Sequence, residues 1–358
     1  MSDYGAGPAS NQVEFTLFGP GYGEAIAVHL GDGCWILVDS CIHPNNKQPA
    51  SLHYLQQIGV QAAGVKIIVA SHWHDDHVRG LSKLAGAFPS AKFILSGVFN
   101  NKEALTFLCA YGSIIAKAQT RGTKELFEFV SKAGEEEKLE FAYGGKILFE
   151  ETVQARKMTV IAFSPTTKAQ AKSLSRMATF IPKAEGLPIT HVPELEPNLE
   201  AVVLHIDFGD DALLLGSDLE DHGDLGWAEI LNDNICTGRR KATSYKVAHH
   251  GSKTGHAAGI WLTLLTALPI ASLTPFNRGS SHLPTDKDKQ RIKETVSAAY
   301  LTSGASKKPA IPNEQLKRML AIGKNIVKVN SGFGAVRFRK ELGAPAWDVE
   351  LFGDALKI

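Results

Sequence analysis

His72, His74, Asp76 and His77 stand in the pattern His-x-His-x-Asp-His, three imidazoles and a carboxylate on one short segment. Imidazole and carboxylate together suit Zn²⁺, Mn²⁺ or Fe²⁺. At an extended strand end, a side-chain period of two points His72 and His74 the same way, so they can bind one cation. Asp76 and His77, past the bend, can reach a second. Two cations need further ligands, and other strand ends offer them. Asp218 follows Leu213-Leu214-Leu215-Gly216-Ser217 and is expected either to bridge both cations or to cap the next helix. Of His249 and His250, which end a later strand, one is expected to complete the second metal. The other is expected to bind substrate or donate a proton; His250 is assigned the ligand and His249 the proton donor. Asp39, also at a strand end, is expected to orient a histidine from behind. His29, His43, His53, His191, His205, His222 and His256 lack such a context and are read as surface or core residues.

These residues need elements that bring distant segments together. Residues 13–18, 24–30 and 34–38 read as strands joined by tight turns. A helix is expected over 51–58. Residues 65–70, rich in β-branched side chains, have the pattern of a strand buried on both faces, and it runs into the histidine cluster. Further strands are expected at 92–95, 146–150, 158–163, 201–208, 212–215, 245–248, 270–274, 326–329, 335–339 and 348–351. Helices are expected at 80–88, 102–111, 124–139, 221–231, 258–267, 286–298 and 314–322. This alternation predicts a layered α/β architecture. The expected organisation is a flexible N-terminus over 1–12 and a single domain over 13–358. That domain carries a less regular insertion at about 100–197 and closing strands at about 325–353.

With 358 residues, 44% of them apolar, the chain can build a sizeable core. Lys and Arg number 38 against 37 Asp and Glu, so the protein is not globally basic and any polyanion must be met by local patches. No apolar run approaches a membrane span, and no membrane partner is expected. No secretory signal is visible, and the four cysteines form no Cys-x-x-Cys pair, which together point to the cytoplasm. Residues 153–183 hold six basic residues and no acid, and 184–200 hold four glutamates and no base. Both stretches are read as solvated loop faces in preference to a substrate patch.

In family order, Asp39, the His72 to His77 cluster, Asp218 and His249-His250 resemble the metallo-β-lactamase fold superfamily, over residues 13 to about 285. The resemblance implies a four-layered αββα sandwich with a dinuclear site at one edge of its two sheets. Gly21-Tyr22-Gly23-Glu24, Gly216-Ser217-Asp218, Ala248-His249-His250-Gly251-Ser252 and Asn277 with His282-Leu283-Pro284 resemble the ComEC-type hydrolase branch. That likeness makes His282 a candidate proton donor at the site edge, its alternative being a loop histidine before a proline turn. The lone middle histidine of the lactamase-like and glyoxalase-like branches has no clear counterpart here. The first metal is therefore expected to keep an open site, and Mn²⁺ becomes as suitable as Zn²⁺.

Two cations about 3.5–4 Å apart activate a shared water and hold both attacking and leaving oxygens, which suits a phosphodiester. Residues 237–256 contain Arg239, Arg240, Lys241, Lys246 and Lys253 and no acid, around the His249-His250 pair. With Ser252 and Arg278, Lys253 is read as a substrate contact. The expected activity is a phosphodiesterase or nuclease, with a nucleic acid or nucleotide as substrate and His249, His250 or His282 protonating the leaving oxygen. Asp76 would hold metal and orient the water. The alternatives are a carbonyl-directed hydrolase of lactamase, lactonase or thioesterase type, a non-catalytic metal-stabilised binding subunit, and an iron-dependent redox enzyme.

Overall fold

Alternation along the first strand, β1 (Gln12–Pro20), sends Val13, Phe15 and Leu17 to one face and Phe18 to the other. Both faces are covered, so the strand belongs to the middle of a layered structure. The computed structural model describes residues 4–20, 23–112, 122–135, 138–181, 196–278, 281–304, 314, 318 and 332–358.

The strands that follow are β2 (Ala25–His29), β3 (Trp35–Val38), β4 (Val65–Val69), β5 (Lys92–Ser96), β6 (Leu139–Ala142), β7 (Ile147–Val153), β8 (Arg156–Ala162) and β9 (Leu204–Asp207). Then come β10 (Ala212–Leu215), β11 (Ala242–Lys246), β12 (Leu265–Leu273), β13 (Phe276–Arg278), β14 (Ser281–Leu283), β15 (Ala298–Leu301), β16 (Phe333–Glu341), β17 (Asp348–Gly353) and β18 (Leu356–Lys357). They form two eight-stranded sheets, ordered β17-β16-β1-β2-β3-β4-β5-β6 and β18-β15-β12-β11-β10-β9-β8-β7, with β13 and β14 as a separate ribbon. Strands β3 to β6 run parallel in the first sheet, and β10, β11, β12 and β15 run parallel in the second.

Three apolar cores separate four layers. Phe15, Ile36, Ile67 and Val69 of the first sheet meet Val160, Ile206, Leu213 and Leu215 of the second between the sheets. Helices Ala50–Gln57, Leu81–Ala87, Lys102–Gly112 and Gly122–Glu135 pack on the outer face of the first sheet. Trp227 and Ile230 of the helix Trp227–Asn232 and Ile292 of Asp286–Lys293 cover the second. This is the αββα sandwich. Parallel strands place their carboxyl ends on one edge, where ligand sites of open α/β sheets form.

Several element bounds differ from expectation for identifiable reasons. Within the N-terminal stretch Tyr4 is buried. Its ring packs edge-on to Tyr54 and Phe352, each with centroids 4.9 Å away, and its carbonyl accepts from Arg337 Nη1 at 2.8 Å. Among the described residues of the 100–197 stretch, β6, β7 and β8 complete the edges of both sheets. Within it, Thr167–Phe180 is a helix capped by Thr166 rather than a solvated loop, burying Ala169, Ser173 and Met177 at helical spacing beneath its basic face. The helix expected over 258–267 is present at Ile260–Leu264, and β12 starts at Leu265. The helix expected over 286–298 ends at Lys293, and β15 begins at Ala298. The helix expected at 314–322 and the strand at 326–329 lie almost wholly outside the described residues.

Candidate metal centre

Asp39 follows β3, Ser71 to His77 follow β4, Asp218 follows β10, and His249 and His250 follow β11. The backbone is folded tightly to bring these ends together. Asp39, Ser217, His249 and His250 all take left-handed φ angles, 58°, 46°, 48° and 52°. Non-glycine residues hold such conformations at a cost of about 1–3 kcal/mol each, and only where the surrounding structure enforces them. Glycine is required at two close approaches. A Cβ on Gly23 would lie 1.9 Å from the Asp76 carbonyl oxygen, and one on Gly216 would lie 2.9 Å from Ala248 Cβ.

Asp76, His77, Asp218 and His250 converge, each offering a donor atom within 4.8 Å of the others, and all four are buried. His77 Nε2 lies 3.4 Å from Asp218 Oδ2, and His250 Nε2 lies 3.2 Å from the same oxygen and 3.5 Å from Asp76 Oδ2. His77 Nε2, His250 Nε2 and Asp218 Oδ1 are buried without a hydrogen-bond partner. Buried polar atoms without partners cost free energy, and a cation among them would satisfy the set. The residues therefore fit a divalent ion. His72 Nε2 and His74 Nδ1 stand 3.1 Å apart beside this group. Bonds of 2.0–2.1 Å at a tetrahedral angle put ligand nitrogens about 3.3 Å apart, so this pair also fits a cation.

The charges agree with that fit. Burial works against ionisation of Asp218, yet His250 and His77 beside it hold its carboxyl well below the usual range. Burial opposes charge on His250 as well, but Asp218 and then Asp76 push its pKa up to about 10. His77 is raised well above the ordinary value by Asp218 and Asp39, again against burial. These are imidazoles holding protons where a cation's charge would otherwise sit; metal binding would release them. His72 goes the other way, lowered well below its usual value by burial and by the neighbouring His77 and His74.

Behind the ligands lies a second ring of contacts. His77 Nδ1 lies 2.7 Å from Asp39 Oδ2, and Asp39 also accepts from Ser71 N and Oγ at 2.7 Å each. His250 Nδ1 lies 3.1 Å from both the carbonyl and hydroxyl oxygens of Thr274. Thr274 Oγ1 donates to Glu24 Oε2 at 2.5 Å. Glu24 Oε1 pairs with Lys246 Nζ at 2.5 Å, and that ammonium donates to the Ser217 carbonyl at 2.9 Å and lies 3.6 Å from Asp218 Oδ1. Glu24, Lys246 and Thr274 were not singled out for these roles. A charged residue between apolar neighbours on a buried strand, as in Tyr245-Lys246-Val247, was the signal available for Lys246.

A cavity of about 360 Å³ opens beside the group, walled by Trp73, Phe276 and Leu283 with His74, Asp76 and His249 on its polar side. His249 Nδ1 lies 2.8 Å from Thr254 Oγ1 and 3.1 Å from Glu220 Oε1, and its Nε2 lies 3.5 Å from Asn198 Nδ2. Trp73 Nε1 donates to Glu200 Oε1 at 2.5 Å, and burial pushes the Glu200 carboxyl up to about 8.

Other expected residues lie elsewhere. His282 stands on β14 between Ser281 and Leu283, which line the cavity; the two-residue period turns it to the opposite, exposed face, where Nδ1 lies 3.1 Å from Asn277 Oδ1. Ser252 Oγ caps the turn Lys253–Gly255, and Lys253 on that turn is exposed; neither lines the cavity. The Arg278 side chain and His191 lie outside the described residues. Lys246 is fully buried and cannot reach a substrate. Arg240 and Lys241 sit just before β11, at the end remote from His250. Asp218 caps no helix, since the next one begins at Trp227 after Gly226. His205 Nε2 lies 2.8 Å from the Arg240 carbonyl, so it is no third ligand for His72 and His74.

Similarity to known proteins accords with this arrangement. The family description "Metallo-beta-lactamase superfamily" matches residues 18–258. No curated protein matches. Among solved structures, the metallo-beta-lactamase fold protein YhfI from Bacillus subtilis is similar at 11% identity, over 81% of this chain and 95% of that one, with a TM-score of 0.42. The hydrolase AbOPH is 16% identical over 55% of each chain (TM-score 0.32). AidC, a dizinc quorum-quenching lactonase, is 19% identical over 56% of this chain and 57% of its own (TM-score 0.31). The matched region thus spans little more than half the length of AbOPH and AidC. The family match runs from within β1 past His250 and takes in the strand ends that carry Asp39, His72 to His77, Asp218, His249 and His250, and this chain belongs to the metallo-β-lactamase superfamily.

Proposed function

We infer that the protein is a metal-dependent phosphodiesterase acting on a compact nucleotide-type diester, of the ComEC-like kind, with Zn²⁺ or Mn²⁺ as its ions. One observation carries the reading: buried, unpartnered donor atoms of His77, His250 and Asp218 meet where both sheets end, at the floor of an open cavity. Asp76, His77, Asp218 and His250 would hold one ion, and His72 and His74 a second. Bound there, two divalent ions lower the pKa of a shared water and offset charge on the attacked group.

The chain's own residues would do the rest. Asp39 and Thr274 fix the ring orientations of His77 and His250 through their Nδ1 atoms. Glu220 and Thr254 hold His249 by Nδ1, and its Nε2, beside Asn198 Nδ2, would exchange that contact to deliver a proton to the leaving oxygen at the cavity wall. Trp73 and Phe276 line the cavity, where a base would contact their rings; stacking of that kind is worth about 1–3 kcal/mol per base. Among the described residues no Lys or Arg lines the cavity, which favours a small diester over a nucleic-acid strand tracked by its phosphates.

That same lack of cations, with the apolar walls, favours a second reading, a carbonyl-directed hydrolase for a neutral lactone or lactam. The test is parallel turnover of bis(p-nitrophenyl) phosphate, cyclic dinucleotides, a homoserine lactone and a chromogenic cephalosporin, each with Zn²⁺ and with Mn²⁺. Diester turnover that disappears in Asp218→Ala is expected. Turnover of the carbonyl substrates alone would reverse the order of the two readings.

A further inference from the structure

We propose that Glu24 and Lys246 are positioning residues that set the spacing between the two halves of the ligand set, one half from each sheet. The proposal rests on the metal-dependent reading above and gives a task in it to a buried ion pair remote from substrate.

The donors come from both sheets. Asp76 and His77 follow β4 of the first, whereas Asp218 and His250 follow β10 and β11 of the second. The core between the sheets is apolar. Apolar packing is non-directional, while a metal ion needs its donors placed to within about 0.2 Å. Directional contacts are needed to couple the two halves, and Glu24 makes them. It stands just before β2 of the first sheet, and its backbone N donates to the Asp76 carbonyl at 2.9 Å. Its carboxylate reaches the second sheet by both oxygens. Oε1 lies 2.5 Å from Lys246 Nζ, and Oε2 accepts from Thr274 Oγ1 at 2.5 Å.

Each contact passes on to a ligand. Lys246 Nζ donates to the Ser217 carbonyl at 2.9 Å and lies 3.6 Å from Asp218 Oδ1. Thr274 Oγ1 lies 3.1 Å from His250 Nδ1. The Glu24 carboxylate thus stands behind both imidazoles, Oε1 4.0 Å from His77 Nδ1 and Oε2 4.0 Å from His250 Nδ1. Glu24, Lys246 and Thr274 are all buried, so solvent screens these contacts little. Stability does not call for such a pair, because apolar residues of similar volume in its place are often neutral or stabilising. Apolar side chains would supply no fixed direction, and the ligand set requires one.

The experiment compares the native full chain with Lys246→Met combined with Glu24→Gln, which removes both charges together. Urea unfolding reads stability. Calorimetric titration of the chelator-stripped protein with Zn²⁺ and with Mn²⁺ reads affinity, and the visible spectrum of the Co²⁺-loaded protein reads donor geometry. The double variant is expected to unfold near the native urea midpoint, to bind either ion about 10–100-fold more weakly, and to give a shifted Co²⁺ spectrum. Native affinity with an unchanged spectrum would overturn the proposal and leave the metal-dependent reading in place. If the double variant does not regain native stability, Thr274→Val carries the test. It removes the hydroxyl between Glu24 and His250 with the ion pair intact, and should weaken binding toward the low end of that range. Native affinity in Thr274→Val would then overturn the proposal. Failure of the native chain to bind any of the three ions would overturn the metal-dependent reading and the proposal with it.

Discussion

The two ends of β11 carry the same residue types in different physical circumstances. At its carboxyl end Lys246 is fully buried, paired with Glu24 and hydrogen-bonded to the Ser217 carbonyl. Just before its amino end Arg240 and Lys241 are exposed, resting on the Gly209 and Leu262 carbonyls. A lysine taken out of water must have a partner, and losing that partner is expensive. A solvated arginine near a carboxylate gains little. These cations are therefore no single basic patch: Lys246 helps build the candidate metal centre, and Arg240 and Lys241 stand at the other end of the strand.

The comparison can be broken at several points. The largest expected effect is at the candidate metal centre, where Asp218→Ala should lower diester turnover by at least about 10³-fold, some 4 kcal/mol of barrier, and reduce the bound divalent metal. Turnover within tenfold of the native enzyme would show that the converging strand ends are not the reacting centre. Next is Lys246→Met, which strands Glu24 as a lone buried charge and should cost about 3–5 kcal/mol in urea unfolding. Pairing it with Glu24→Gln should recover most of that loss. If the double variant is no more stable than the single one, the pair is not what holds this end of β11 together.

A third effect comes from Glu200 behind Trp73. Burial pushes its carboxyl up to about 8 from the ordinary 4.5 of a free glutamate, so the unfolded chain gives up the proton first as pH rises. The stability from keeping it neutral is present in full below about 4.5 and is lost as pH climbs through 8. Glu200→Gln should remove this slope, gaining on the native protein by up to about 4 kcal/mol between pH 5 and 8. Parallel stability profiles for the two proteins would contradict a buried neutral acid. The smallest effect is expected at the other end of β11, where Arg240→Ala and Lys241→Ala should change stability by about 0.5 kcal/mol or less and turnover by under about twofold. A large loss of turnover there would restore the basic stretch as a substrate surface.

Much of the layering was legible because alternation and β-branched runs report burial directly. Residues 65–70 read as a strand buried on both faces, and β4 contributes Ile68 to one core and Ile67 and Val69 to another. The misread segments are those where local signals conflict. The pattern at 258–267 is helical in composition, yet pairing with β11 and β15 draws Leu265 onward into a strand. The Thr167–Phe180 helix was hidden by its charge, since Ala169, Ser173 and Met177 make a thin buried stripe among basic residues.

Residue type and strand-end position were enough to single out His72 to His77, Asp218 and the His249-His250 pair as candidates, because metal chemistry restricts which side chains can take part and short motifs keep their spacing. Spacing along the chain could not tell which of His249 and His250 faces the centre, that His282 is turned to the outer face, or that Glu24 and Lys246 pair behind it. Those outcomes depend on left-handed turns at His249 and His250, on the pleat of β14, and on two sheets packing so that residues more than two hundred positions apart share one buried volume. Side-chain chemistry is a local property that the amino-acid order carries directly. Direction and desolvation arise only when the layers close.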